Sequence, residues 1–467
     1  MSLLKMKSLF VISLCLSTSL TASLFAEVPF SIQGPGVDPA DFRMTTFASG
    51  LNYPVGMAEL DDGSIMVAVS NGSSFFGSRS GSIIRLVDED KDGVADQQST
   101  LFAEVPGGGL SSLRVIDDLV FTTGQGSGKP ISILRMGAMP ADPLTLVGEI
   151  EINYRGSWLH PHSALAVRAT PGQANSYDLF FQLGSQVNFA TTTNTLSLTS
   201  NIGIAGDLAG DAIHMITLTS DGANVSATGL QQIATGLRNP AGFAWHPVTG
   251  DLYFEDNGID GVRDPNEPTS ADELNMIPVD QIGGDIEDFG FAENYTEYRT
   301  GNIIGGEGIQ PLVAFQPIPP ADGAEGEGPN DIAFAPAAFP EALQNGVFVG
   351  MHGRFSSGGQ SNEENPLVFV DLNDNSYFHF ITNNEPGVGH LDGLLPTSDS
   401  LFIADISPGG GFGGNAGNTA AIYQIKSLVP EPQSNVLCTL GFAALAFGRR
   451  SRVLSRRQSR GLTNAPL

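Results

Sequence analysis

Cysteine is nearly missing, with two in 467 residues, Cys15 and Cys438, one near each terminus. The body between them forms no internal disulfide and offers no thiol nucleophile, so core packing, with or without a metal, must hold it together. Basic residues are also scarce. Between residues 27 and 428 there are 14 bases against 49 acids, a net charge of −35. A surface of that sign repels nucleic acid and anionic lipid and attracts divalent cations. No long stretch carries a 3.6-residue apolar period, which argues against a helical architecture. No G-x-S-x-G elbow occurs. The run Gly124-Gln125-Gly126-Ser127-Gly128-Lys129 is followed by proline, not the Ser/Thr that a phosphate-binding loop requires.

What is abundant is glycine, 57 residues, together with 29 prolines and 41% hydrophobic residues. That combination reads as many short strands joined by tight turns around a large core. The two ends read as addresses. Lys5 and Lys7, an apolar run from Phe10 to Leu24 and the small residues Ala22 and Ala26 make residues 1–26 a secretory leader. At the other end, Val429-Pro430-Glu431-Pro432 precedes an apolar stretch, Val436 to Phe447, and then Arg449, Arg450, Arg452, Arg456 and Arg457. This order resembles the PEP-CTERM sorting signal, which implies export, processing by an exosortase and a cell-surface or extracellular location. Membrane contact is expected only through residues 429–467, with the arginines kept on the cytoplasmic side.

Residues 27–428 repeat weakly six times. Each copy has a Pro/Gly-rich turn, an apolar strand, a second apolar strand and a third. The first strands begin near Tyr53, Ser111, His160, Asn239, Pro329 and Gly389, and the third strands near Ile83, Ile131, Ala212, Glu273, Leu367 and Ile422. A unit of three or four strands recurring every 50–90 residues or so predicts an all-β, six-bladed β-propeller, because one blade cannot bury its faces without neighbours. The long interval between Pro240 and Pro329 must hold an insertion.

Two copies carry motifs. Leu237-Arg238-Asn239-Pro240-Ala241-Gly242-Phe243 is followed by Glu255-Asp256-Asn257-Gly258, then Asp272-Glu273-Leu274-Asn275, then Asp288-Phe289-Gly290-Phe291, while His160 opens the third copy. This series resembles the R-N-P-x-G and D-E-[IL]-N segments of the pyrroloquinoline-quinone-dependent glucose/sorbosone dehydrogenases, over most of residues 45–426. The resemblance implies oxidation of a sugar or alcohol CH–OH group. His160 would be the base, since a near-neutral imidazole suits hydroxyl proton removal. Arg238 and Asn239 would lie beside the quinone carbonyl, where a cation stabilises developing charge. It also implies that Arg354 and His390 face the cofactor, His390 standing where arginine is common in that family. Calcium would be held by the carbonyls of Gly258 and Ile259 and, at a second position, by Glu273.

A separate calcium loop is read from spacing alone. Asp88, Asp90, Asp92 and Asp96 occupy positions 1, 3, 5 and 9 around Gly93, with Ser99 in place of the bidentate Glu of a complete EF-hand. Four crowded carboxylates repel one another without a cation; the alternative is a solvated acidic turn. Three further alternatives stand beside the redox reading. His160 and His162, two apart on one strand face, are a metal pair or simply strand caps. The whole body is a non-catalytic surface module binding glycans or protein partners. The third is a calcium-dependent lactone hydrolase of the same architecture.

Overall fold

The computed structural model describes residues 28–262, 268–317, 328–353, 367–382 and 388–428. The leader, the C-terminal tail and Arg354 lie outside the described residues. The described chain is all-β, a six-bladed propeller. Each blade begins with a short strand at the axis. These inner strands, Met57–Glu59, Leu110–Ile116, Leu165–Ala169, Pro240–Trp245, Pro329–Phe334 and Gly393–Pro396, pack neighbour against neighbour in a closed ring. The second strands, such as Ile65–Ser70 and Ser176–Leu183, are buried along their whole length. They read as continuous apolar runs because both sheet faces are covered by adjacent blades.

The ring closes through its two ends. Strand Phe42–Leu51 pairs antiparallel with Ala420–Ser427 as the outer strand of the last blade. Phe30 and Ile32 then pack into the core beneath blades five and six. Between blades, apolar side chains from facing sheets form one core each; Leu165, Leu179 and Ile216 of blade three meet Phe121, Ile133 and Ile150 of blade two. Truncating one such leucine to alanine costs about 2–5 kcal/mol.

Two features depart from a plain four-stranded repeat. The insertion expected after Pro240 is present. It forms the small hairpin Tyr295–Thr296 and Ile303–Ile304, and Glu287–Asp288 pairs in parallel with strand Val225–Thr235 of blade three. A second excursion, not apparent in the sequence, is the hairpin Thr195–Ser200 and Ala205–Ala209. It leaves blade three and extends the sheet of blade two to six strands.

Candidate functional site

The residues preceding each inner strand lie at one end of the axis, together with those that follow each second strand. There the ends of blades three and four converge on Gly184 and Ser185. The Ser185 N–H donates to the Arg238 carbonyl at 2.6 Å, and the Ser185 carbonyl accepts the His160 N–H at 3.0 Å. Gly184 is required by this approach. A Cβ there would sit 2.6 Å from the Arg238 carbonyl oxygen and 2.8 Å from His160 Cβ.

His160 is 9% exposed, and its Nδ1 lies 2.9 Å from Ser185 Oγ. Ser185 Oγ gives its own proton to the Val187 carbonyl, so it accepts from His160 Nδ1–H and leaves Nε2 as the unprotonated nitrogen. Burial, and then the charge of Arg238, push the His160 pKa down to about 2. The imidazole is therefore neutral throughout the physiological range. His162 is separate from it. Its Nε2 donates to the Lys129 carbonyl and its Nδ1 meets the Tyr154 hydroxyl, both at 2.8 Å. The two histidines hold different partners and form no metal pair.

Arg238 is 2% exposed. Its Nε donates to the Asn188 carbonyl, Nη1 to the Asn257 carbonyl, and Nη2 to Asn188 Oδ1 and Asp260 Oδ2, the last two at 2.7 Å. Its guanidinium thus clamps the loops of blades three and four. The Asp256 carboxylate accepts the backbone N–H groups of both Arg238 and Asn239. Burial raises the Asp256 pKa to about 7 even so.

Acids gather around this point. Asp256 and Glu273 lie directly opposite each other on paired strands. Burial first, and Asp256 second, raise the Glu273 pKa to about 8. Glu255, fully buried, is pushed well above the usual carboxylate range by burial and by Asp331. Among the described residues, Glu255 Oε2, Asn239 Oδ1 and Asn275 Oδ1 are buried acceptors without a hydrogen-bond partner. A cleft of about 20 Å³ is lined by Asp256, Gly258, Ile259, Glu273 and Phe289 among others. It has room for one water-sized occupant. Both lone pairs of the Ile259 carbonyl are already used by the Thr269 and Ser270 N–H groups. The donors for a cation there are carboxylate oxygens, with the Gly258 carbonyl beside them. This set fits calcium, a hard cation that takes oxygen ligands.

Farther around the rim, His390 is buried, its Nδ1 on the His352 carbonyl, and desolvation lowers its pKa to about 4. It stacks on His352 at 4.2 Å between ring centroids, and both rings stack on Phe412 at 5.0–5.1 Å. His352 Nδ1 meets Asp392 Oδ1 at 2.7 Å. Arg114 crosses the axis from blade two to Asp331 of blade five at 3.1 Å.

The loop of Asp88, Asp90, Asp92 and Asp96 is remote from this end group and belongs to blade one. Asp88, Asp90 and Asp96 bring carboxylate oxygens within 4.8 Å of one another. Asp92 turns Oδ1 to the Val94 N–H. The loop touches the closing strand, where Thr45 Oγ1 donates to the Gly93 carbonyl at 2.6 Å.

Fold and site together define a six-bladed propeller with a polar, acid-rich mouth. No family model matches the chain. An uncharacterized protein of Borreliella burgdorferi is 47% identical over 45 residues, covering 10% of this chain and 11% of that protein. Among solved structures, the holo pyranose dehydrogenase PQQ domain of Coprinopsis cinerea matches with a TM-score of 0.54 at 13% identity, over 86% of this chain and 98% of that one. The calcium structure of a Trichoderma reesei carbohydrate-active enzyme of family AA12 matches with 0.54 at 15% identity, over 87% and 99%. The soluble aldose sugar dehydrogenase of Escherichia coli, in its apo-form, matches with 0.52 at 14%, over 83% and 99%. At these identities the likeness establishes the shared propeller fold.

The motif series drew attention to His160, Arg238, Asn239 and Glu273, and these do lie on the adjoining ends of blades three and four. Ser185, Asn188, His352, Asp392, Lys129 and Asp272, whose carboxylate accepts the Gly258 N–H at 2.6 Å and the Gly328 N–H at 3.0 Å, were not singled out as site residues. The one local signal for Ser185 was the Leu183-Gly184-Ser185 break at the end of an apolar strand.

Proposed function

We propose that this protein is an exported, calcium-dependent oxidoreductase of the quinoprotein type that oxidises a sugar or alcohol CH–OH group at the mouth built by blades three and four. The observation that carries the reading is the junction at Gly184 and Ser185, which sets a neutral histidine with a bare Nε2 beside a buried arginine and a cation-ready carboxylate cleft. His160 Nε2 is the nitrogen free to take the hydroxyl proton, with Ser185 fixing the tautomer, and that role requires negative charge bound nearby to raise the imidazole from the low pKa that burial and Arg238 impose. The charge of Arg238, one residue before Asn239, favours negative charge that develops nearby. Asp256 and Glu273, opposite each other on paired strands, would hold calcium, which would supply Lewis-acid polarisation at the mouth.

Pyrroloquinoline quinone, when bound, supplies the two-electron acceptor. It is planar and carries three carboxylates. At the rim the partly exposed His352 ring stacks on buried His390 and Phe412, and among the described residues the Lys129 ammonium makes one hydrogen bond, to the Phe76 carbonyl. Those residues fit the group, and Arg354 is added to them from the sequence motif. The leader and tail support export and display at the cell surface.

A second reading, a non-catalytic module that binds glycans or protein partners, draws on the four hydrogen bonds that tie the Arg238 guanidinium to Asn188, Asn257 and Asp260. Reconstitution separates the two. Protein loaded with calcium and the quinone should reduce a dye with at least one aldose, and H160Q should lower turnover by about 10²–10⁴ without changing quinone absorbance. No quinone binding at micromolar concentration would select the binding module.

A further inference from the structure

At the end of the axis opposite the mouth, the seam between blades one and two is open. The inner strands run away from the mouth. Where those of blades one and two end, beside Leu395 of blade six, lies a cavity of about 610 Å³. That volume suits a small ligand. Its walls are the unfilled end of the core that the two blades share. Leu60 and Leu113 belong to that core, and Val115 and Met136 pack against its margin. Met57 lines the cavity too, as does Met139, which is 63% exposed. Unbranched methionine side chains adapt to apolar bodies of irregular shape. The loop that carries Met136 and Met139 is held in place by its own hydrogen bonds. Asp142 Oδ2 accepts the Met139 N–H at 2.9 Å, the Met139 carbonyl accepts the Asp142 N–H at 2.9 Å, and the Met136 N–H donates to the Asp118 carbonyl at 2.8 Å.

The uncompensated charge in this cavity is of one sign. Glu59, Asp61 and Asp117 line it, against one base, Arg114. Arg114 is already committed: Nη2 pairs with Asp331 at 3.1 Å and Nη1 donates to the Leu113 carbonyl at 2.9 Å. The bases nearby are matched as well, Arg85 with Asp62, Arg135 with Asp118 and Lys426 with Asp399. Among the described residues, no base forms an ion pair with Glu59, Asp61 or Asp117. Burial, and then Asp399, raise the Glu59 pKa, as expected of a carboxylate that lacks a cation. The three carboxylates do not gather their oxygens within 4.8 Å of one another, as Asp88, Asp90 and Asp96 do. A bare metal ion would therefore find no common point between them, and it would leave the apolar walls uncovered. A cation that carries its own apolar body satisfies both parts of the lining.

We propose that this cavity is a second binding site, for a small organic cation: an amine, protonated at neutral pH, on an apolar body. The apolar body fills the open end of the core between blades one and two. The ammonium lies among Glu59, Asp61 and Asp117. This site stands apart from the mouth and does not depend on the redox reading.

The test uses the full chain at low ionic strength, with two probes that share a ring and differ in charge, cyclohexylmethylammonium and cyclohexylmethanol. Calorimetric titration should show the ammonium binding about tenfold more tightly, a charge-assisted bond being worth about that factor. E59Q/D61N keeps both side chains at their size and should bring the two probes to one affinity. Ala138 is an exposed residue of the cavity lining, and A138W, which puts a ring into that space, should weaken both probes about tenfold. Equal affinities in wild type, tighter binding of cyclohexanecarboxylate than of the ammonium, or a preference for the ammonium that survives in E59Q/D61N would each overturn the proposal. Should the variants fold poorly, wild type labelled with ¹³C-methyl-methionine answers the same question. The Met57, Met136 and Met139 methyl signals should move with the ammonium, while that of Met351, buried in another core, stays in place. Three immobile signals at the cavity would equally overturn the assignment.

Discussion

Replacing Gly184 by alanine tests the junction on which the site depends. The backbone at Gly184 is not in the left-handed region, so alanine meets no dihedral penalty and the effect is purely one of space. The new methyl would start 2.6 Å from the Arg238 carbonyl oxygen and 2.8 Å from His160 Cβ. Ordinary contact begins near 3.4 Å, so the ends of blades three and four must part by about 0.8 Å. Those contacts are backbone and Cβ atoms, which no rotamer change can relieve. Overpacking of this kind costs about 1–3 kcal/mol. The Ser185 N–H to Arg238 carbonyl bond, at 2.6 Å, is the one that must stretch. A displacement near 1 Å at reacting groups costs about 10²-fold in rate. The control is G229A, in strand Val225–Thr235, where an added methyl meets nothing within 4 Å. Urea unfolding should show a loss of about 2 kcal/mol for G184A and none for G229A. Dye reduction by the reconstituted enzyme should fall about 10²-fold in G184A. Equal stability and equal turnover in the two variants would refute the idea that blades three and four are held at contact distance to make the site.

Other consequences are open to direct measurement. R114M leaves Asp331 buried without its cation and should destabilise the protein by about 3 kcal/mol; R114M/D331N should recover most of that in chemical denaturation. His162 and His214 are buried neutral, with burial lowering each pKa to about 4, against about 6.5 in the unfolded chain. Their contribution is complete above pH 6.5 and is lost as pH falls toward 4, at about 3 kcal/mol per histidine. The difference in unfolding free energy between wild type and H214Q should therefore change between pH 7 and pH 4.5; a constant difference would contradict the assignment. Calcium at the Asp88, Asp90 and Asp96 loop should stabilise the fold by about 2.7 kcal/mol at a hundredfold excess over its Kd. Chelator should lower the melting temperature of wild type more than that of D90N, and an equal response would count against the loop as a metal site.

Much of the architecture was legible in the chain because a propeller is made of local units. Tyr53-Pro54-Val55-Gly56 followed by Ile65–Ser70, or Asn239-Pro240 followed by Leu252–Asp256, announce a turn and two buried strands through neighbouring residues alone, and six such units need each other's faces. The insertion after Pro240 was visible as spacing. The acids of blade four and His160 were visible as residue types in a motif. Their partners were not, because each is fixed by a contact between distant segments. Ser185 chooses the tautomer of His160 from 25 residues away. Asn188 meets Arg238 from 50 residues away. The hairpin Thr195–Ala209 joins the sheet of blade two, although its sequence lies inside blade three. Strand Phe42–Leu51 closes the ring against the last blade, a pairing with no local signal, because strand partners are selected by the space left at the edge. Alternating burial and turn chemistry thus wrote the blades into the sequence. Which side chains face one another across the mouth was decided only when the ring closed and brought loops of different blades to a common axis.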